Sequence, residues 1–330
     1  MMIRKIIYKD VYKVLRNRGV LFVKGKERIK LNKGIFVNYK YDLFDSTFFT
    51  YIYNADMLSV YNSETSLFDL SYSKAKYLLG SHSKCNEFLL FDKDSNLITL
   101  YDSHKEKDSF NFGKNISIWV ADYLITTSGK SLTKRNVLEV YNLNKDIELA
   151  WIYRLDNDYW FFGKQQVINS VLFLSAHKRD HSLKKFIGLN LQTGEKLWES
   201  SYEVPFKENL IALLLNDEDS LCYGLDSERY QVFDPSTGKV ILQKDVSMSL
   251  QDGIYPDLSR QSIYDGKLWF VSGKGSNVRF GAMDLTKSEI EFVQGYPLEG
   301  DDQLDTPICH EGELYLRTLH SNALHILRRN

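Results

Sequence analysis

Short apolar segments separated by polar turns run along the whole chain, and no amphipathic helical pattern of 11 or more residues is evident. Two segments, 186–198 and 230–242, show the unit in full: a strand, then Asn190 or Asp234, a short turn closed by Gly194 or Gly238, and a second strand. Asn or Asp stabilises such a turn through its own side chain, and Gly accepts the positive φ that the turn requires. The pattern therefore predicts strands joined in hairpins.

The same unit recurs with weaker turn residues. The Asn or Asp that precedes the turn falls at Asn62, Asp102, Asn142, Asn190, Asp234 and Asp284. These positions are 40, 40, 48, 44 and 50 residues apart, a period that suits four short strands plus loops, as in a propeller blade. A further apolar strand lies upstream of each position, and a seventh lies at Glu313–Arg317.

The seventh unit ends early, because only the segment 323–327 follows it before the chain stops at Asn330. A propeller must close, since an open ring leaves unpaired strand edges. Spare strand material lies near the N-terminus, with 20–23 and 28–31 among it. We predict an all-β, seven-bladed β-propeller, a single domain over residues 1–330, closed by pairing of an N-terminal strand with the C-terminal blade. Six or eight blades stay open, because residues 1–45 are the least repetitive.

The run of strand, Asn or Asp, two residues, Thr-Gly-Glu/Lys and Leu-Trp resembles the repeat of quinoprotein-like propellers, best at 190–198 and partly at 234–241. The resemblance implies that Trp198, and Trp151 near the same position, pack between neighbouring blades. Members that bind pyrroloquinoline quinone use adjacent cysteines, a calcium ion and a catalytic aspartate. This chain has no Cys-Cys pair, so the resemblance implies the non-catalytic, binding or scaffold branch, without a cofactor.

Composition supports a folded chain whose charges nearly cancel: 43% of residues are apolar, 14% are aromatic, and the net charge is −1. The first 40 residues carry twelve Lys and Arg against Asp10 and Glu27. Lysines that protect an exposed strand edge from pairing explain this excess better than an acidic partner does. The overall charge also argues against nucleic acid as a partner.

Three isolated cysteines, Cys85, Cys222 and Cys309, predict no disulfide framework, and Cys222 reads as a small buried residue. The chain has no apolar run of signal-peptide or membrane-span length, which predicts a cytoplasmic protein without membrane contact. The Lys-, Asn-, Tyr- and Ile-rich composition with 5 Pro looks bacterial.

Four patterns in the chain resemble motifs that bind phosphate or metal ions or that catalyse acid–base chemistry, but none has the full set of features. The segment 128–131, Ser-Gly-Lys-Ser, lacks the upstream glycine of a phosphate loop and joins two strands. The segment 92–96 begins like a calcium loop but lacks its glycine and its final glutamate. His177 and His181 are four apart but in a loop, and Asp156 and Asp158 suit a solvated turn better than acid–base work. We therefore expect no catalytic residue and no metal.

Loops between second and third strands, and between blades, emerge on the same face of a propeller. The loops 127–135 and 176–184, the blade-to-blade segment at 156–160 and the segment 252–257 contain basic, acidic and aromatic residues whose composition suits an interface. The alternative is that these loops are polar only because they contact water. The candidate partner-binding residues are Lys130, Lys134, Arg135, Asp156, Asp158, Tyr159, Trp160, His177, Lys178, Arg179, Tyr255 and Asp257.

The sequence thus favours a non-catalytic propeller, with a monomer favoured, that binds a protein partner through its loop face. A specific version is a bacterial immunity-type inhibitor whose partner is a toxin or effector domain. Two alternatives stay open: a sugar hydrolase or lyase with its site at the central channel, and a scaffold subunit of a larger complex.

Overall fold

The computed structural model describes the greater part of the chain. The described residues are 2–9, 11–16, 20–24, 43–45, 49–53, 57–62, 67–73, 76–81, 87–92, 97–102, 105–111, 116–120, 122–128, 136–143, 147–203, 210–211, 213–216, 218–250, 253–310 and 312–329.

Strands dominate these residues, and the only helices among them are α1 (Ser247–Leu250) and a 3-10 turn at Gly275–Asn277. The strands are β1 (Met2–Tyr8), β2 (Val11–Arg16), β3 (Val20–Lys24), β4 (Leu43–Asp45), β5 (Phe49–Tyr53), β6 (Met57–Asn62), β7 (Leu67–Ser73), β8 (Lys76–Ser81), β9 (Glu87–Asp92), β10 (Leu97–Asp102), β11 (Lys105–Asn111), β12 (Ile116–Val120), β13 (Tyr123–Ser128), β14 (Val137–Asn142), β15 (Glu148–Arg154), β16 (Tyr159–Ile168), β17 (Val171–Lys178), β18 (Leu183–Asn190), β19 (Lys196–Glu203), β20 (Leu214–Asn216), β21 (Leu221–Leu225), β22 (Arg229–Asp234), β23 (Lys239–Asp245), β24 (Ser262–Tyr264), β25 (Lys267–Ser272), β26 (Arg279–Asp284), β27 (Glu289–Gly295), β28 (Ile308–His310), β29 (Glu313–Arg317) and β30 (Leu324–Arg329).

Six of the sheets are four-stranded antiparallel meanders of consecutive strands: β4–β7, β8–β11, β12–β15, β16–β19, β20–β23 and β24–β27. A seventh four-stranded sheet has the order β1-β30-β29-β28. The all-β prediction is confirmed, and the described part of the chain holds seven four-stranded sheets. Each of the six Asn or Asp positions that defined the repeat is the last residue of the third strand in its sheet.

The predicted pairing of an N-terminal strand with the C-terminal blade is confirmed, because β1 runs antiparallel to β30 from Met2 opposite Arg329 to Tyr8 opposite Leu324. The strand that supplies this pairing is not one of the two segments singled out from the sequence. Residues 20–24 pair with β2 in a separate two-stranded sheet, and residues 28–31 lie outside the described part of the chain.

Burial within a sheet follows the position of the strand. The middle strands β17, β22 and β25 are buried almost throughout, whereas the fourth strands β15, β19 and β23 are largely exposed. The apolar core clusters lie between consecutive sheets: one joins β12–β15 to β16–β19, another β20–β23 to β24–β27, and a third β24–β27 to the last sheet. This is the face-to-face packing of propeller blades.

The residues group into two compact units, one of 1–39, 210–234 and 240–330, the other of 40–209 and 235–239. Within the second of these units, the first strands β8, β12 and β16 are neighbours, and within the first unit so are β20, β24 and β28. These six strands are therefore the innermost of their sheets, and the exposed fourth strands β15, β19 and β23 are the outermost of theirs. The single domain over residues 1–330 stays a prediction.

The turn chemistry inferred from the sequence is present. The Oδ1 atom of Asn190 accepts hydrogen bonds from the backbone N–H of Gln192 and Thr193, while Gly194 and Gly238 have φ of 75° and 72°. Each of these glycines lies against a tryptophan of the preceding sheet. Trp151 packs on Gly194 and Trp198 on Gly238, so the indoles pack between neighbouring sheets as the resemblance implied.

Candidate functional site

The connection between β15 and β16 and the turn between β17 and β18 lie side by side at one end of the sheet β16–β19. Trp160 pairs with His177 and Tyr159 with Lys178 across the two strands. Beyond the strands, the backbone N–H of Arg179 donates to the carbonyl of Asp158 at 2.7 Å. Within this sheet, a blade-to-blade connection and a second-to-third loop therefore share one face, as expected for a propeller.

Asn136, the residue before β14, lies at the same place. Lys130, Lys134 and Arg135 lie outside the described residues, so their contribution stays a prediction. The residue that follows them is Asn136, whose carbonyl accepts a hydrogen bond from the N–H of Leu155 at 2.9 Å. The Nδ2 atom of Asn136 also lies 3.4 Å from Oδ1 of Asn157, to which it donates.

The turn that follows β17 is held by a carboxylate. The Oδ1 atom of Asp180 accepts hydrogen bonds from the backbone N–H and the hydroxyl of Ser182, at 2.9 and 2.6 Å. These bonds lower the pKa of Asp180 to about 2, so the carboxylate is charged at neutral pH. His181, at φ 61°, is inside this turn and donates its N–H to the carbonyl of Lys178. The turn is therefore preorganised by local bonds.

Three aromatic rings meet on this face. Trp160 and His181 are edge to face with centroids 5.5 Å apart, and His181 is 5.9 Å from His177. Burial, followed by the charges of Lys184 and His181, lowers the pKa of His177 to about 4. The ring of His177 is therefore neutral at neutral pH.

The charged residues around these rings differ in whether they form ion pairs. Lys178 pairs with Asp180 at 3.3 Å. Arg179 is exposed, and within the described parts of the chain no carboxylate forms an ion pair with it. Asp156 and Asp158 are exposed, and the Asp156 carboxylate is 3.8 Å from Lys185. Arg179 is thus a cation available to a partner beside the aromatic rings.

Tyr159 does not face solvent, so its prediction as an exposed aromatic is wrong. Its ring belongs to the core between β12–β15 and β16–β19, and the ammonium of Lys185 lies 4.3 Å above it. Lys185 also pairs with Glu199 at 2.8 Å. The strand parity that sends Tyr159 inward turns Trp160, the next residue, to the opposite face.

Tyr255 and Asp257 belong to the segment between α1 and β24. The side chain of Tyr255 is 68% exposed, and its N–H is held by the Ser272 hydroxyl at 2.8 Å. Asp257 uses its carboxylate internally, since it accepts from Ser259 and pairs with Arg260 at 3.0 Å. In this segment the Tyr255 side chain is exposed to solvent, and Asp257 stabilises the backbone conformation next to it.

Over the described ranges, no group of three or more His, Cys, Asp or Glu side chains is placed to hold a metal ion. Cys222 and Cys309 are buried free thiols, and burial raises the pKa of Cys222 to about 12. The helices described are all too short to span a bilayer.

His181 is the surface residue that sequence reasoning missed. The sequence had paired it with His177 only as a candidate zinc ligand, whereas the structure sets its ring against Trp160. The signal that was available is the Asp-His-Ser sequence at 180–182, because Asp followed by Ser two residues later favours a tight turn.

No family model matches the chain, and no curated protein is similar to it in sequence. Solved structures do resemble it in fold. Kluyveromyces lactis Hsv2 with loop 6CD replaced by a Gly-Ser linker superposes with a TM-score of 0.52 at 11% identity, covering 85% of this chain and 89% of that one. Hsv2 of Kluyveromyces marxianus superposes with a TM-score of 0.51 at 11% identity, covering 84% and 88%. Both are WD40-type β-propellers, so the propeller prediction is confirmed at the level of the fold.

Proposed function

We propose that this chain is a non-catalytic β-propeller that binds a protein partner through its loops, and that the Trp160 surface is the centre of the contact. The Trp160 surface is defined here as Trp160, His177, Lys178, Arg179 and His181, with Asp156 and Asp158 at its edge. One observation carries the proposal: exposed Arg179, with no described ion-pair partner, stands beside the Trp160–His181 ring pair on a turn fixed by Asp180.

The physical reason is that Trp and Arg are the residues most enriched at interface positions whose truncation costs more than about 2 kcal/mol. A preorganised turn also loses less conformational entropy on binding than a loose one. Lys130, Lys134 and Arg135 are proposed to extend this surface, and Tyr255 with Asp257, in the other unit, is proposed as a separate partner-binding segment. The charges would mainly raise the association rate and fix orientation.

The experiment is affinity capture from the source cell with quantitative mass spectrometry. Wild type is compared with Trp160→Ala and Arg179→Ala, and with Lys287→Ala, an exposed turn cation outside the surface. We expect one or a few proteins that wild type and Lys287→Ala retain and that both surface variants lose at least about tenfold, the effect of one interface hot spot. Capture that is equal for all variants, or no specific protein, overturns the proposal.

The finer proposal is that the partner is a toxin or effector domain that the chain inhibits. Its support is the bacterial look of the composition and the uneven loops, which suit one partner better than a symmetric ligand. Co-expression in a growth assay with the product of the neighbouring gene tests it. Growth that wild type rescues and Trp160→Ala does not is the expected result, whereas a stable multi-subunit complex without growth protection favours a scaffold role.

A further inference from the structure

An open groove of about 620 Å³ runs along β27. Its walls combine apolar side chains, Ile254 after α1 and Ile290, Phe292, Val293 and Pro297 from the strand and the residues after it, with the polar residues Ser249 and Ser276. Arg279, the first residue of β26, supplies the charge in this groove. All these residues belong to the unit that contains 240–330.

Arg279 differs from the other half-buried arginines. Arg229, Arg260 and Arg317 each form an ion pair with an aspartate at 2.7 to 3.0 Å. Arg279 instead donates through Nη1 to the backbone carbonyls of Val278 and Ser276, at 2.9 and 3.4 Å. In the described part of the chain, no carboxylate pairs with it. Its Nε and Nη2 atoms are therefore available for the bidentate pairing that guanidinium makes with a carboxylate.

Space is left beside this guanidinium. Gly295 lies opposite Arg279 in the pairing of β26 with β27. A Cβ atom at position 295 would come within 3.7 Å of Nη1, so a larger side chain would fill the region that a ligand would enter. The groove therefore combines apolar and polar walls with a guanidinium that no carboxylate of the described residues pairs with.

Three exposed apolar side chains belong to the chain segment that carries the groove residues Ser249 and Ile254. Met248, Tyr255 and Leu258 are 93%, 68% and 52% exposed. Met248 precedes the groove residue Ser249, and Tyr255 follows Ile254. A small ligand would leave these three side chains in water, whereas an extended chain crossing the groove can cover them. Exposed apolar groups of this kind mark interaction surfaces when they cluster.

We propose that this groove binds an extended segment of a protein partner in which an Asp or Glu side chain lies beside a large apolar side chain. The inference rests on the proposed function and names the chemistry that the partner offers. The carboxylate pairs with Arg279, and the apolar side chain lies on Ile290, Phe292 and Pro297. The backbone of the segment then crosses towards Tyr255.

The test is selection from a display library of random peptides on the full chain, followed by fluorescence anisotropy with the selected peptide. We expect the enriched peptides to share an acidic residue next to Leu, Ile or Phe. Arg279→Gln is expected to weaken binding of such a peptide at least about tenfold, the usual effect of losing a charge-assisted bond. Lys274→Gln, which removes the same charge from an exposed loop residue, should change the affinity less than about twofold.

Changing the acid of the peptide to its amide should reproduce the loss on wild type and have no effect on Arg279→Gln. Peptides without an acidic residue, equal binding to Arg279→Gln, or displacement by free phenylacetate as tight as by the peptide would each overturn the inference. Failure of the groove is separable from failure of the proposed function. If the cellular partner is captured equally by wild type and Arg279→Gln, the groove inference falls and the proposed function stands; if no partner is captured, the peptide selection still decides the groove.

Discussion

The indole Nε1 of Trp198 donates a hydrogen bond to the backbone carbonyl of Pro235, 2.9 Å away and 37 residues later in the chain. Trp151 makes the same bond, at the same length, to the carbonyl of Leu191, 40 residues later. In both cases the acceptor lies in the turn between the third and fourth strands of the next sheet. The turn that defines the repeat is therefore also a docking point for the preceding sheet.

The first prediction concerns the glycine under the indole. Gly238 has φ 72°, and a Cβ atom there would overlap the Trp198 ring. Gly266 has φ 68° with no atom within 4 Å of the same Cβ position. Gly266→Ala should lower the free energy of unfolding by about 1 kcal/mol, the penalty of a positive φ, and Gly238→Ala by about 3 kcal/mol or more because overlap adds to it. Urea unfolding followed by circular dichroism measures both.

The contact itself can be isolated by a double substitution. Trp198→Leu removes the ring that the new Cβ atom meets, so the combination with Gly238→Ala should lose less free energy of unfolding than the sum of the two single variants. Strict additivity, or equal losses for the two glycine variants, would show that the indole does not constrain the turn.

The strands and turns of this chain were predictable because local rules determine them. Alternating apolar residues and the Asn-x-x-x-Gly turn of 190–194 locate a hairpin without knowledge of any distant residue. The strand that closes the last sheet was harder to predict from the sequence. Residues 2–8 and 20–23 are comparable strand formers, and only the position of the chain ends in the folded protein selects the first.

The sequence predicted which loops form the candidate surface but not which of their side chains are buried. The sequence Tyr159-Trp160-Phe161-Phe162 is apolar at every position, so a period of two cannot tell which face is buried. The structure settles that Tyr159 points into the core and that Trp160 does not. The approach of His181 to Trp160 depends on a positive φ that its residue type does not require.

A second prediction follows from Asp302, a buried carboxylate whose oxygens accept from the backbone N–H of His320 and Ser321 at 2.9 and 3.0 Å. Burial alone would raise its pKa, but hydrogen bonds from Ser321, His320 and Gln303 outweigh burial and lower the pKa from 3.8 to about 2. A depressed pKa means that the folded state favours the charged form. The stabilisation, roughly 2 kcal/mol, is complete above pH 4 and disappears as the pH falls to about 2.

Asp302→Asn should therefore lower the free energy of unfolding at pH 7 by about that amount and flatten its dependence on pH between about 4 and 2. Asp301→Asn is the matched control, because that carboxylate is 82% exposed and lies 3.7 Å from Lys274; it should change the free energy by less than about 0.5 kcal/mol. An unchanged pH profile in Asp302→Asn would contradict the role given to these bonds.

The third prediction concerns the turn that presents Arg179. Asp180→Ala removes the acceptor for the Ser182 N–H, so exchange of the Ser182 amide hydrogen should become faster by about tenfold, as expected for the loss of a local hydrogen bond. Because Asp180 is exposed, the melting temperature should change little. Asp245→Ala removes an equivalent Asp–Ser turn at Ser247 and should leave exchange at Ser182 unchanged. Equal exchange in all three proteins would mean that Asp180 does not order the turn.

The last prediction is chemical inertness of the two described thiols. Cys222 is fully buried on β21 with its pKa raised to about 12, first by burial and then by Asp219 and Asp234, and the thiolate is the reactive form. Cys309 is buried and donates to Asp265 at 3.4 Å. With Cys85 replaced by Ser, the folded chain should therefore show no fast reaction with a disulfide reagent at pH 8, and both thiols should react once urea unfolds it. Thr286→Cys in the same background adds an exposed thiol and should react at once, which calibrates the assay. Rapid labelling of Cys222 without urea would mean that the sheet β20–β23 opens locally, and the buried middle strands would then not be the most protected part of this fold.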